Sequence, residues 1–171
     1  GKNVHILRCG AYLDYCDVIN IELSHKSVRC AVCLAQQEDF IKAFGGVDCT
    51  YSNWLTSNDE QVIDHFIDSF FCQNDFEHVF KGTYVDKILY SALQRYYLVA
   101  EPSVIDDKVT RGFLRSILLT LTVMDKLVKK IQPKYVLSSH GTYSTWGAVV
   151  EYCKAHNVYV VTYGQNYNHC G

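Results

Sequence analysis

The chain has 171 residues, of which 49% are hydrophobic and 20% are charged, with only two prolines. This length and composition are typical of one folded domain with a substantial core, not of a disordered chain. The net charge of −2 argues against a nucleic-acid partner, since phosphate binding needs clustered Lys and Arg side chains. No apolar run reaches the length of a membrane span, which leaves only peripheral membrane association open.

The first half of the chain mixes short strand patterns with helical ones. Its start is irregular and rich in cysteine, so we treat residues 1–45 as a Cys-rich subdomain within a single domain of residues 1–171. Gly45 and Gly46 are typical of a helix end, and the polar cluster at residues 56–59 is typical of a helix start. The predicted elements are strands at 3–9, 18–23 and 47–54, helices at 31–44 and 60–71, and a helical turn at 75–80.

The second half is more regular. Helices are predicted at 84–98 and 108–131, and the second is apolar on more than one side, so it is expected to pack between other elements. Residues 132–164 then follow the order strand, loop, helix, strand. Pro133 ends the preceding helix, and short β-prone runs flank a helix that begins near Ser144 or Thr145. This order predicts a parallel βαβ unit with a right-handed crossover.

These elements predict an α/β fold, specifically a Rossmann-like three-layer domain with helices on both faces of a small, mainly parallel sheet. Ligands of such sheets bind at the carboxyl ends of the strands. That rule brings the loop at residues 140–143 and the loop at residues 164–166 to one edge of the sheet. We therefore expect any functional site to lie there.

His140 is the predicted catalytic residue of this edge. A histidine at a strand end can act as a general base near neutral pH, and the neighbouring Gly141 would allow close approach of a substrate. The start of the following helix would offer N–H groups to an anion or a sugar hydroxyl. Tyr143 and Trp146 could stack on a sugar ring. The alternative is structural: His140 would fix the loop by hydrogen bonds and Trp146 would belong to the core.

Four of the eight cysteines form the second candidate site. Cys30 and Cys33 make a CxxC pair, and Cys9 and Cys16 could complete a tetrahedral four-thiolate zinc site. The alternatives are a redox pair or four reduced thiols packed as small apolar groups. The cysteine content of a well-cored α/β chain indicates a reducing, cytoplasmic setting rather than a secreted disulfide scaffold.

Other charged groups are interpreted as surface features. Asp59, Glu60, Asp64 and Asp68 recur at helical spacing and predict a solvated helix face. Arg111 and Arg115 lie one turn apart, and a surface role is expected for both. No phosphate-binding loop, GxGxxG motif or G-x-S-x-G motif is present in the sequence.

The sequence VLSSHGTY at residues 136–143, followed by Trp146 and Gly147, resembles bacterial capsular-polysaccharide and related GT-B glycosyltransferases. Members of that group often have a strand, an HG-x-Y segment, a glycine-containing helix and an apolar strand ending near glycine. Residues 132–134 are similar to the group's entry into this strand, with Lys134 in place of aspartate. Residues 84–96 and the cysteine-bearing start look like the same group.

The resemblance implies the acceptor-side, N-terminal half of a glycosyltransferase that uses a nucleotide sugar as donor and a glycan as acceptor. It implies His140 as the base or acceptor-orienting group. It also implies a downstream donor-binding domain, without which this chain would be catalytically incomplete. The alternatives are a non-catalytic, zinc-stapled binding or scaffold module and, as a third, a sugar-nucleotide epimerase. The implied substrate-binding residues are Gly141, Thr142, Tyr143, Trp146, Gly164 and Gln165.

Overall fold

The computed structural model describes residues 4–22, 26–72, 77–102 and 106–164. The described residues form an α/β fold of five α-helices and six short strands. In chain order these are β1 (His5–Arg8), α1 (Lys26–Phe44), β2 (Val47–Thr50), α2 (Ser57–Cys72), β3 (Val79–Phe80), β4 (Thr83–Tyr84), α3 (Asp86–Tyr97), α4 (Asp107–Ile131), β5 (Val136–Ser139), α5 (Thr145–Ala155) and β6 (Val160–Tyr163).

The strands of the described ranges pair only in twos. β1 pairs with β2 and β5 with β6, both in parallel, while β3 and β4 form an antiparallel hairpin. The predicted βαβ unit at residues 132–164 is thereby confirmed, and β1, α1 and β2 make a second one. No single sheet links these pairs in the described part of the chain, so the Rossmann-like three-layer arrangement stays a prediction.

Helix α4 lies at the centre of the hydrophobic core. Its buried side chains run along most of its length, as the predicted two-sided apolar pattern requires. Asp106 caps its start by accepting the N–H of Lys108 at 2.7 Å, and Gln132 at φ 49° ends it before Pro133. The buried hydroxyl of Thr120 donates to the carbonyl of Ser116, so this polar group is satisfied inside the core.

Ion pairs join the acidic face of α2 to α4, and Asp64 and Asp68 are 59% and 74% exposed, as a solvated face predicts, whereas Asp59 is largely covered. Asp59 pairs with Lys126, Asp64 with Arg115, and Asp68 with Arg111 at 3.4 Å. Arg111 and Arg115, for which a surface role is expected, are partly exposed and pair with these carboxylates. The helical spacing that suggested a solvated stripe also aligns these acids with the basic residues of a neighbouring helix, which one helix's sequence does not reveal.

The hairpin corrects the helical turn predicted at residues 75–80, of which residues 77–80 are described. Lys81 and Gly82 both have positive φ, at 49° and 71°, as a two-residue type I′ turn requires. Three further boundaries differ from prediction. Residues 18–22 form no strand, α1 begins five residues before the predicted start at 31, and β2 ends at Thr50 because the 3₁₀ turn Tyr51–Asn53 follows it.

Asp125 ties α4 to α5 and makes the fold sensitive to acid. Its carboxylate accepts hydrogen bonds from Lys129 at 2.8 Å and from Tyr152 at 3.1 Å. Burial favours the neutral acid, but these hydrogen bonds outweigh burial and hold the pKa of Asp125 below its ordinary 3.8. The stability that it contributes is therefore present above the unfolded pKa and is lost as pH falls through the lower folded pKa.

We expect Asp125→Asn to reduce the loss of unfolding free energy between about pH 5 and about pH 3, because it removes this protonation step. Urea denaturation across that pH range measures the effect. Asp68→Asn is the control, since Asp68 is 74% exposed and its ion pair is screened by water. Parallel pH profiles of wild type and Asp125→Asn would contradict the assignment.

No α-helix of the described ranges combines the length and apolar content needed to cross a lipid bilayer.

Candidate functional site

The parallel pairing of β5 and β6 brings His140 and Gly164 together. Ser139 is in register with Tyr163, and the His140 N–H donates to the Tyr163 carbonyl at 2.8 Å. A Cβ placed on Gly164 would lie 3.6 Å from Cδ2 of His140 and 3.9 Å from its Nε2. The two residues expected at the carboxyl edge of the sheet are therefore direct neighbours, as the strand-end rule predicts.

His140 is exposed and held by neighbours on two sides. Its backbone has φ 49°, a left-handed conformation that is uncommon outside glycine. Its ring stacks on Trp146 with centroids 5.1 Å apart and planes 25° apart, and its Nδ1 is hydrogen-bonded to the Ser139 hydroxyl. When Nδ1–H donates to that hydroxyl, Nε2 carries the lone pair and can accept a proton from a ligand hydroxyl.

Gly141 has a packing role that explains its identity. Its φ is +74°, and a Cβ there would lie 2.9 Å from Cγ2 of Thr162 and 3.2 Å from Cγ2 of Val150. Any other residue would therefore push the loop away from β6 and α5. This requirement is independent of substrate approach, so the predicted contact between Gly141 and a substrate stays a prediction.

The two aromatic residues predicted to shape one sugar pocket face different neighbours. Trp146 lies against His140, whereas Arg95 of α3 lies over the ring of Tyr143, 5.9 Å from its centroid. Tyr143 has φ 69°, and its N–H donates to the Ser91 hydroxyl at 3.4 Å. Thr142 is exposed in the same loop. Trp146 thus belongs to the His140 cluster, and Tyr143 belongs to the contact with α3.

Asp17 occupies the start of α5, where a ligand anion was expected. Its buried carboxylate accepts the N–H and the hydroxyl of Ser144, both at 2.7 Å. It also accepts the N–H of Thr145 at 3.1 Å and the Thr145 hydroxyl. The protein therefore supplies its own anion to this helix end. The prediction of a free N-terminal site is wrong for these two residues.

No local pattern identifies Asp17 as a cap, since it lies 127 residues before Ser144 in an irregular segment. The usual signal places the capping side chain next to the helix that it caps. The last predicted substrate-binding residue, Gln165, lies outside the described residues.

The four cysteines predicted as metal ligands lie on two structural units. Cys9 follows β1 and Cys16 lies in the next loop, while Cys30 and Cys33 are one turn apart on α1. All four are partly buried free thiols. Within the described ranges, no three His, Cys, Asp or Glu side chains are arranged to hold a metal ion in this conformation. Zinc therefore stays a proposal at this point.

A groove of about 330 Å³ lies away from this edge, between α2 and α4. Asp64, Asp68, Arg111 and Arg115 line it, and these are the residues that pair with one another across the two helices. Because their charges are already matched, the groove has no excess charge to attract an ionic ligand. The His140 cluster is the better candidate site.

Comparison with known proteins returned no match: no protein family model, no curated protein and no solved structure is similar to this chain.

Proposed function

We propose that this chain is the acceptor-side domain of a glycosyltransferase that transfers a sugar from a nucleotide sugar to a glycan. The observation that supports this best is the exposed His140, stacked on Trp146 beside Gly164 at the carboxyl edge of parallel strands. The two parallel βαβ units fit the Rossmann-like half that the proposal requires. The resemblance at residues 136–147 supports the same class.

In the proposed reaction, His140 acts as the general base. An acceptor hydroxyl donates its hydrogen bond to Nε2, and its oxygen attacks the anomeric carbon of the donor sugar. A new C–O bond forms as the bond from the anomeric carbon to the diphosphate oxygen breaks, and the acceptor proton passes to Nε2. The nucleoside diphosphate leaves with the electron pair. A second, donor-binding domain would hold the nucleotide sugar.

Three neighbours support this role for His140. Ser139 engages Nδ1, which fixes the ring orientation and selects Nε2 as the basic atom when the Ser139 oxygen accepts. Gly164 leaves the space beside Cδ2 and Nε2 free of a side chain. Trp146 adds an apolar surface suited to the C–H face of a sugar. Together they form a small platform open to a ligand.

A non-catalytic binding or scaffold module is the second candidate. The observation that favours it is the Asp17 carboxylate at the start of α5, because it occupies the N–H groups that a transferase could offer to a substrate. A scaffold would use the same edge without proton transfer. Loss of turnover on replacing His140 therefore separates the two candidates.

We expect His140→Ala to lower kcat by about 100-fold, the usual contribution of a positioned general base. The measurement is sugar transfer from a panel of UDP- and GDP-sugars to short oligosaccharides, in the full natural reading frame that contains this chain. Because a base acts in the transition state, the loss should fall on kcat more than on KM. Added imidazole should restore part of the rate.

His65→Ala is the matched control, because His65 is an exposed histidine on α2. Its turnover should equal that of the wild type. Circular dichroism should show both variants folded. Turnover of His140→Ala equal to that of His65→Ala would remove His140 as the base, and absence of transfer by the wild type with every donor would favour the scaffold candidate.

A further inference from the structure

Arg95 of α3 is partly buried and makes no ion pair with any described residue. Three other arginines, Arg8, Arg111 and Arg115, each pair with a carboxylate. Arg29 also lacks an ion pair within the described ranges, but it is exposed to water on α1. Charged groups that are withdrawn from water are normally paired. A partly covered arginine without a carboxylate partner therefore needs another explanation.

The guanidinium of Arg95 is held over the ring of Tyr143, with its Cζ atom 5.9 Å from the ring centroid. This contact engages the charge of the guanidinium through the electron-rich face of the ring, and it uses none of the N–H donors. Within the described ranges, no acceptor is hydrogen-bonded to the Arg95 side chain. Tyr143 thus fixes the position of the cation and leaves its hydrogen-bonding capacity for a ligand.

Arg95 lies beside the loop that carries His140. The N–H of Tyr143 donates to the hydroxyl of Ser91 at 3.4 Å, and Ser91 precedes Arg95 by one turn of α3. Tyr143 follows His140 by only three residues, so their Cα atoms lie within about 11 Å of each other. A ligand of a few sugar units bound at His140 would therefore extend to Arg95.

Lys87 extends the positive charge along α3. It lies eight residues before Arg95, about 12 Å along the helix axis, and both positions belong to one broad helix face. Lys87 is exposed and has no ion pair within the described part of the chain. Two carboxylates lie on the neighbouring segments, but Asp86 pairs with His78, and Asp17 is buried with four hydrogen bonds. Both acids are therefore engaged elsewhere.

We infer that Arg95, assisted by Lys87, binds an anionic group of the glycan acceptor, a carboxylate or a phosphate, beside His140. Arginine suits these groups because its planar fork of N–H donors matches two oxygens at once. The start of α5 is the other anion-binding feature of this edge, and Asp17 already fills it. The choice of an acceptor glycan rests on the proposed transferase function, whereas the binding of an anionic group by Arg95 does not.

The test measures ligand binding to the full chain by calorimetry and by NMR of isotope-labelled protein. The probes are tetragalacturonic acid, its neutral methyl ester and inorganic diphosphate, so that a carboxylate, the sugar alone and a phosphate are compared. We expect the acid to bind at least about tenfold more tightly than the ester, with an affinity that decreases as NaCl is added. The amide signals of Ser91 and Tyr143 should shift on binding. Tighter binding of the acid than of diphosphate would assign a carboxylate-bearing acceptor, and the reverse order a phosphate-bearing one.

Arg95→Ala should weaken binding of the acid by at least about tenfold and leave binding of the ester unchanged. Arg95→Lys keeps the charge but loses the planar fork, so its affinity should lie between those of wild type and Arg95→Ala. Arg29→Ala is the matched control, because it removes an exposed arginine that also lacks an ion pair, and it should bind the acid as wild type does. Urea denaturation checks that each variant is folded.

Equal affinity of the wild type for the acid and the ester, or no binding of either anionic probe, would overturn the inference without any variant. Equal affinities of Arg95→Ala and Arg29→Ala for the acid would do so as well. The proposed transferase fails separately. Anion binding at Arg95 without sugar transfer by the full reading frame would remove the transferase alone, whereas transfer to acidic acceptors that Arg95→Ala leaves unchanged would remove this inference alone.

Discussion

Replacement of Asp17 by alanine is expected to lower the free energy of unfolding by about 3 to 4 kcal/mol, because it leaves several buried donors unpaired. The Asp17 side chain is 6% exposed and accepts hydrogen bonds from the backbone and the hydroxyls of both Ser144 and Thr145. Ser144 is itself fully buried, so water does not replace the lost acceptor. Chemical denaturation measures the change, and hydrogen exchange at Ser144 and Thr145 should accelerate.

Two further variants show whether the effect belongs to this cap. Asp17→Asn keeps the volume but replaces one acceptor oxygen with a donor group, so it should fall between wild type and Asp17→Ala. Asp39→Ala removes a carboxylate whose side chain is 80% exposed on α1, and it should cost less than about 0.5 kcal/mol. A loss below about 1 kcal/mol in Asp17→Ala would show that the cap does not hold α5.

The second large effect is expected at Phe113, where alanine should cost about 3 to 5 kcal/mol. Phe113 is 2% exposed on α4, and its ring contacts Tyr15 and Tyr96 with centroids 5.2 Å and 5.5 Å away. Truncation removes apolar burial and leaves a cavity between α3, α4 and the loop that carries Tyr15. Urea denaturation measures the loss. A lower midpoint with an unchanged slope of unfolding free energy against urea concentration would show that the substitution changes stability and not the compactness of either state.

Phe44→Ala is the matched control for Phe113→Ala. Phe44 is exposed on α1, where its ring lies 4.6 Å from that of Phe40. Because most of its surface already faces water, its removal should cost less than about 1 kcal/mol. Equal losses at the two positions would mean that the aromatic cluster around Phe113 is not the centre of the core.

The secondary structure can be predicted from the sequence where an apolar periodic pattern is long, or where residues such as proline clearly end an element. Helix α4 has a long apolar pattern and ends before Pro133, and these two features of the sequence predict the helix and its end. The β3–β4 hairpin was missed because its strands are two residues long and its turn is Lys81-Gly82, which lacks the Asn or Asp that usually marks type I′ turns. Short strands gain their pairing from the tertiary structure.

The candidate site, likewise, can be predicted from the sequence only in part. His140 and Gly164 were expected at one edge because each follows a strand of a parallel pair, and the structure places them in contact. The division between Trp146, which stacks on His140, and Tyr143, which contacts Arg95, was not predictable. It depends on the positive φ of Tyr143 and on the position of α3, which is distant in the chain.

The sequence by itself determined the α/β class, the central helix α4, the βαβ unit at residues 132–164 and the meeting of His140 with Gly164. Each follows from local periodicity, turn residues or the geometry of parallel strands. Only the tertiary structure decided that Asp17 closes the start of α5 and that the acids of α2 pair with α4. These features join residues far apart in the chain, and no local pattern specifies which distant partner will satisfy a buried or charged group.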